Sequence, residues 1–179
     1  REVYSQAVDI GEHLVFSEGR THETINLAGA YINVSVNLAL SGNYEEALES
    51  NDRANVLFKK SLEISGEPIV KSYVALTCKN RAGYLGHLQR FDEAVQALDE
   101  SIAYLEELIS DPAFASFKAE LANDQCDRAF ALFELGRRDE ARVLLKEWIP
   151  KFRQAIDETG KTGLEEDFKR LKEFSSSEF

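Results

Sequence analysis

Three histidines, two cysteines and a surplus of carboxylates are the residues of this chain whose types could support chemistry. His13, His22 and His87 are widely separated and share no ligand spacing, so neither a metal cluster nor a histidine acid–base pair follows from them. Cys78 and Cys126 sit singly inside amphipathic patterns with no CxxC spacing, which reads as two free, unreactive thiols of a reducing compartment. The carboxylate pairs Glu45-Glu46, Asp92-Glu93 and Glu106-Glu107 fall at helix starts or on exposed faces, where they favour the helix dipole and solubility over proton transfer. A phosphate-binding glycine loop, a nucleophile elbow and an HExxH sequence are absent from the sequence. The expectation is a chain that is not an enzyme and holds no metal or cofactor.

The remaining chemistry is that of recognition. Asn33, Asn80 and Asp127 recur at intervals of 47 residues. An asparagine amide both donates and accepts, so a ladder of such groups could read a peptide backbone whatever its side chains; the same amides could instead bond neighbouring helices or water. Helical phase adds Val36 and Leu40 to the first stripe, Gly83 and His87 to the second, and Phe130 and Glu134 to the third. These nine residues are the candidate partner-binding set. Asp127 departs from Asn and, ionised, only accepts, which favours a Lys or Arg of the partner. Gly83 and Gly86 lie inside a predicted helix, where each costs about 1 kcal/mol relative to Ala. That cost predicts a close approach, by an adjacent helix more readily than by a ligand.

The elements that would position these residues are repeated. GNYEEAL at Gly42–Leu48 returns as QRFDEAV at Gln89–Val95 and GRRDEAR at Gly136–Arg142, which sets Ala47, Ala94 and Ala141 at a constant 47-residue interval. The register extends to Ser35, Ala82 and Ala129, to Leu38, Leu85 and Leu132, to Leu27, Val74 and Leu121, and to Phe58, Leu105 and Phe152. Each unit holds two amphipathic helical patterns separated by a short turn, a helical hairpin. First helices are predicted near Glu23–Ser41, Ile69–Leu88 and Pro112–Leu135, and second helices near Tyr44–Ile64, Phe91–Ser110 and Arg138–Asp157. Asn43 with Glu46 has the form of a capping box, and Asp111-Pro112 that of a cap followed by Pro in the first turn. Residues 1–18, with Val3–Phe16 helical, match the second helix of a repeat whose first helix is missing. Hairpins follow over 21–65, 69–110 and 112–158, then a capping helix over 162–175 whose Leu164, Phe168, Leu171 and Phe174 could cover the last hairpin, and a frayed SSSEF tail.

The fold class is thus all-α, a solenoid of antiparallel helical hairpins in one domain. The 179 residues carry a net charge of −11, which disfavours nucleic acid, whose phosphates call for a basic surface. No apolar run spans a bilayer and no signal peptide is recognised, so the expected setting is cytoplasmic, without membrane association. An initial Arg and the lack of any Met suggest an excerpt from a longer chain.

The small, aromatic, Gly and Ala positions resemble the tetratricopeptide repeat (TPR). The first hairpin supplies Ser35, Leu38, Gly42, Tyr44, Ala47 and Ala54; the second Ala82, Leu85, Gln89, Phe91, Ala94 and Ser101; the third Ala129, Leu132, Gly136, Arg138, Ala141 and Trp148. Gln89, Arg138 and Trp148 depart from the pattern, and a period of 47 replaces the family's usual 34. The resemblance implies a right-handed superhelix whose first helices line a concave groove for peptides or proteins. The family's carboxylate clamp is not reproduced, because Ile32, Val36 and Asp127 stand at its Lys, Asn and Arg positions. The leading expectation is a non-catalytic scaffold for a peptide or protein segment of neutral or basic character. A regulatory or sensor segment of a larger enzyme or signalling protein is the alternative, and self-association through solenoid ends near Tyr4, Ala7 and Leu14 is a third.

Overall fold

The computed structural model describes residues 2–20 and 23–178, with side chains from Gln6 onward; His22 and the side chain of Tyr4 lie outside the described residues. Every regular element among the described residues is helical. None of these helices is long and apolar enough to cross a membrane. The chain divides into two compact units, Arg1–Arg90 and Phe91–Phe179.

In the first unit, α1 (Glu2–Glu12) runs into a π-helical turn at His13–Ser17, and α2 (Thr24–Leu40), α3 (Tyr44–Ser65) and α4 (Val70–His87) follow. The predicted helix over Val3–Phe16 is therefore interrupted. Helices α2 and α3 form an antiparallel hairpin, and α4 packs against α3. In the second unit, α5 (Phe91–Ile109) leads through a 3₁₀ segment at Pro112–Phe117 to α6 (Lys118–Glu134), which pairs with α7 (Arg138–Thr159). A 3₁₀ turn at Thr162–Leu164 precedes α8 (Glu165–Glu178). The helix predicted from Pro112 thus starts six residues late as α-helix. Asp111 Oδ1 accepts from Ala113 N at 2.9 Å and so caps the 3₁₀ segment, and Phe114 leaves helical geometry at φ −107°.

The repeated words have three physical jobs. First, Ala47, Ala94 and Ala141 are buried to 2% exposure or less, as are Ser35 and Ala129, so short side chains occupy the positions where helices approach to about 8–10 Å. Second, the acidic pairs Glu45-Glu46, Asp92-Glu93 and Asp139-Glu140 occupy the first turns of α3, α5 and α7, where they meet the positive end of the helix dipole. Third, each word opens on a left-handed turn. Gly42, Gln89 and Gly136 have φ of 80°, 58° and 79°, and the N–H groups of Asn43, Arg90 and Arg137 close the preceding helices on Leu38, Leu85 and Leu132. The capping box at Asn43 does not form. No side-chain cap bond is made there, and the Asn43 backbone instead bonds Leu38 through its N–H and Ala47 through its carbonyl.

Helix α8 starts 47 residues after α6, in the register of a further first helix. It also extends through the serines expected to fray, up to Glu178. The ring of Phe168 meets Phe152 of α7 at 5.7 Å, Leu171 is buried, and Glu165 pairs with Arg153 at 2.7 Å. Where α6 buries Ala122, Cys126 and Ala129, the same register positions of α8 carry exposed Lys169, Glu173 and Ser176. The outward positions of α8 are therefore polar where the matching positions of α6 are apolar.

Candidate partner-binding face

The first unit turns the predicted stripes of α2 and α4 outward. Their buried sides meet where Ser35 Oγ and the Tyr84 hydroxyl stand 3.2 Å apart. Burial pushes the Tyr84 phenol above its ordinary value near 10, and the Ser35 hydrogen bond works weakly against that rise. On the open side, Asn33 and Val36 are exposed and Leu40 is 82% exposed, a large apolar area for a helix end. Asn80 is half-buried, while Gly83 and His87 are exposed. The side-chain amides of Asn33 and Asn80 hydrogen-bond none of the described residues, although the Asn33 carbonyl accepts from Asn37 Nδ2 at 2.8 Å. Asn33 is thus an exposed amide and Asn80 a half-buried one, neither bonded through its side chain to another described residue.

Two glycines behave differently from expectation. A Cβ at Gly83 or at Gly86 would meet no heavy atom within 4 Å, so no neighbouring helix presses on them. The close approach is at Gly11 in α1, where a Cβ would come 2.9 Å from Leu27 Cδ1. His87 is not isolated either, for its ring stacks on Tyr44 at 4.2 Å and 8°, which fixes it as a flat polar wall at the end of the stripe. Leu76, one turn before Asn80 and 44% exposed, belongs to the same surface and was not singled out in the sequence. Its signal was an apolar residue four positions from Asn80, out of phase with buried Val74, Ala75 and Cys78.

In the second unit, Phe130 (42% exposed) and Glu134 lie open on α6, and Asp127 is half-buried. Here the face is not bare. Arg170 Nη2 of α8 lies 3.6 Å from Asp127 Oδ1, and the Phe174 ring meets those of Phe130 and Phe133 edge-on at 5.2 and 5.0 Å. Arg170 and Phe133 were missing from the predicted set. Their roles follow from where α8 folds back, which local pattern does not encode.

Behind both faces the hairpins are tied by register-matched polar contacts. Asp52 pairs with Arg81 across α3 and α4, and Asp99 with Arg128 across α5 and α6, the same two positions 47 residues on. Asn51 Nδ2 donates to the Thr77 carbonyl at 2.8 Å, and Ser101 Oγ donates to Asp124 Oδ2 at 2.6 Å, with Thr77 and Asp124 again in register. No group of three His, Cys, Asp or Glu side chains among the described residues could hold a metal ion, and both cysteines are buried and unpaired with one another.

No family profile matches the chain, and no curated protein matches it. The architecture defines a class, that of all-α helical-repeat proteins built from hairpins. Among solved structures, one of a Podosopora anserina protein described as a kinesin light chain with nearly identical TPR-like repeats is 18% identical, with a TM-score of 0.59 over 99% of this chain and 84% of that one. A second structure of those repeats has a TM-score of 0.58 at the same identity and coverage. The fold is thus TPR-like.

Proposed function

We propose that the chain is a non-catalytic scaffold that holds a peptide or protein segment against the outward faces of its first helices. The repeats are read as one array, in which residues 1–18 form a second helix, 21–65, 69–110 and 112–158 the hairpins, and 162–175 the capping helix. The observation that carries the proposal is the pair Asn33 and Asn80, two register-matched amides, one exposed and one half-buried, whose side chains bond no other described residue, on helices whose buried sides touch. Leaving such groups exposed beside Val36, Leu40, Leu76 and the open backbone at Gly83 gives a surface suited to a peptide chain, with the apolar side chains supplying affinity and the amides orientation. The net charge of −11 favours a neutral or basic segment over nucleic acid. A cytoplasmic setting agrees with two buried cysteines that form no disulfide with one another.

Selection of peptides from a random displayed library tests this reading. Peptides taken on the wild type are expected to lose about tenfold or more in affinity on Asn33→Ala/Asn80→Ala, two lost hydrogen-bond partners of about 1 kcal/mol each. Because Asn33 is exposed and the half-buried Asn80 makes no side-chain hydrogen bond to another described residue, the melting temperature should stay within a few degrees of wild type. Undiminished binding by the double variant rejects this face as the ligand surface.

A further inference from the structure

The carboxylate expected to attract a partner's Lys or Arg already holds an Arg of its own chain. Arg170 reaches Asp127 from α8, and one turn further on Phe174 places its ring against Phe130 and Phe133. A basic residue followed four positions later by an aromatic therefore covers the one predicted stripe that differs from the asparagine pattern. We infer that the Arg170 and Phe174 side of α8 is a displaceable occupant of the α6 face, and that the segment replacing it is a helix carrying a basic residue one turn before an aromatic. This inference rests on the reading of first-helix faces as the binding surface and adds the partner's chemistry and the regulation of that surface.

Two sets of contacts hold α8 unequally. One set has the buried Leu171, the Phe168–Phe152 ring contact and the Glu165–Arg153 pair. The other has the half-buried Phe174 ring and an ion pair longer than a hydrogen bond, made by the Arg170 side chain, which is 69% exposed and shared with Asp167 at 3.4 Å. Exposed pairs of that kind contribute little. Beyond it, Ser176 Oγ donates to the Lys172 carbonyl and Ser177 Oγ to the Phe174 carbonyl, local bonds that compete with continuation of the helix. Lys172, Glu173, Ser176 and Ser177 are all exposed. An arriving helix that offers the same two groups can make the Asp127 ion pair and the Phe130 and Phe133 ring contacts that α8 gives up. The acidic chain draws it in, and Asp127 anchors it.

The test uses the full chain and, as probe, a synthetic peptide of residues 165–178. An occupied site binds a competitor in proportion to the fraction in which the resident has left. Arg170→Ala/Phe174→Ala is therefore expected to bind the peptide about tenfold more tightly than the wild type, and adding Asp127→Asn/Phe130→Ala should abolish that binding. Arg170→Ala alone, at an exposed position that cannot disturb the core, should move affinity in the same direction. Amide exchange should run far faster over residues 172–178 than over α6. Equal affinity for wild type and variants, binding indifferent to Asp127 and Phe130, or uniformly slow exchange along α8 would each overturn the inference. The Asn33→Ala/Asn80→Ala variant separates the two readings: if library peptides ignore it while the 165–178 peptide behaves as stated, only the first-unit face is rejected.

Discussion

Gln89 is the one non-glycine residue among the described residues with a positive φ, in a turn where the other two repeats use Gly42 and Gly136. A left-handed conformation costs a side-chain-bearing residue about 1–2 kcal/mol, part of which glycine's greater freedom in the unfolded chain takes back. Gln89→Gly is expected to stabilise the fold by roughly 0.5–1 kcal/mol, read as a higher midpoint in urea; a lower midpoint would mean that the Gln side chain does more than close a turn. Tyr84 and Tyr31 set an alkaline limit. Burial is the main cause raising both phenols above 10. A raised native value contributes stability that is complete below the unfolded value near 10 and is lost as pH rises through the native one. Melting temperature should therefore fall from about pH 10 upward, and less steeply in Tyr84→Phe. The exposure of Asn33, Val36, Leu40, Gly83 and His87 was legible from helical phase alone. The stacking of His87 on Tyr44 was not, because it joins the end of one helix to the start of another.

At the level of elements, the 47-residue register carried most of the information. The apolar positions Leu27, Val74 and Leu121, and Phe58, Leu105 and Phe152, are all buried to 5% exposure or less. The misjudged boundaries have local causes. Pro112 and the Asp111 cap start a 3₁₀ segment that delays α6, and a π-helical turn interrupts the chain at His13–Ser17. The ion pairs Asp52–Arg81 and Asp99–Arg128 were visible as two Asp and two Arg at one spacing, yet the spacing alone does not say that the side chains face each other. Helix α8 gives the sharpest element-scale prediction. If exposed Lys169 and Glu173 are what prevents another helix from docking, Lys169→Leu/Glu173→Leu should associate in a concentration-dependent way by light scattering, beyond whatever the wild type shows. An unchanged mass would mean that the polar face is not what keeps a further helix from docking on α8.

At the scale of the molecule, both compact units build helical hairpins from the same register, and the TPR-like fold was readable from small residues that let helices approach. Which surface stays open was readable for the first unit, where polar and apolar residues share an uncovered stripe. It was not readable for the second, where a helix distant in sequence returns to Asp127 and Phe130. Partner binding on the first-helix faces is the central claim, and affinity capture from lysate with the wild type and Asn33→Ala/Asn80→Ala in parallel, followed by mass spectrometry, tests it most directly. Binding on these faces predicts a set of proteins retained by the wild type and lost from the variant. Identical captures would contradict it and favour a segment that acts on other domains of its own chain.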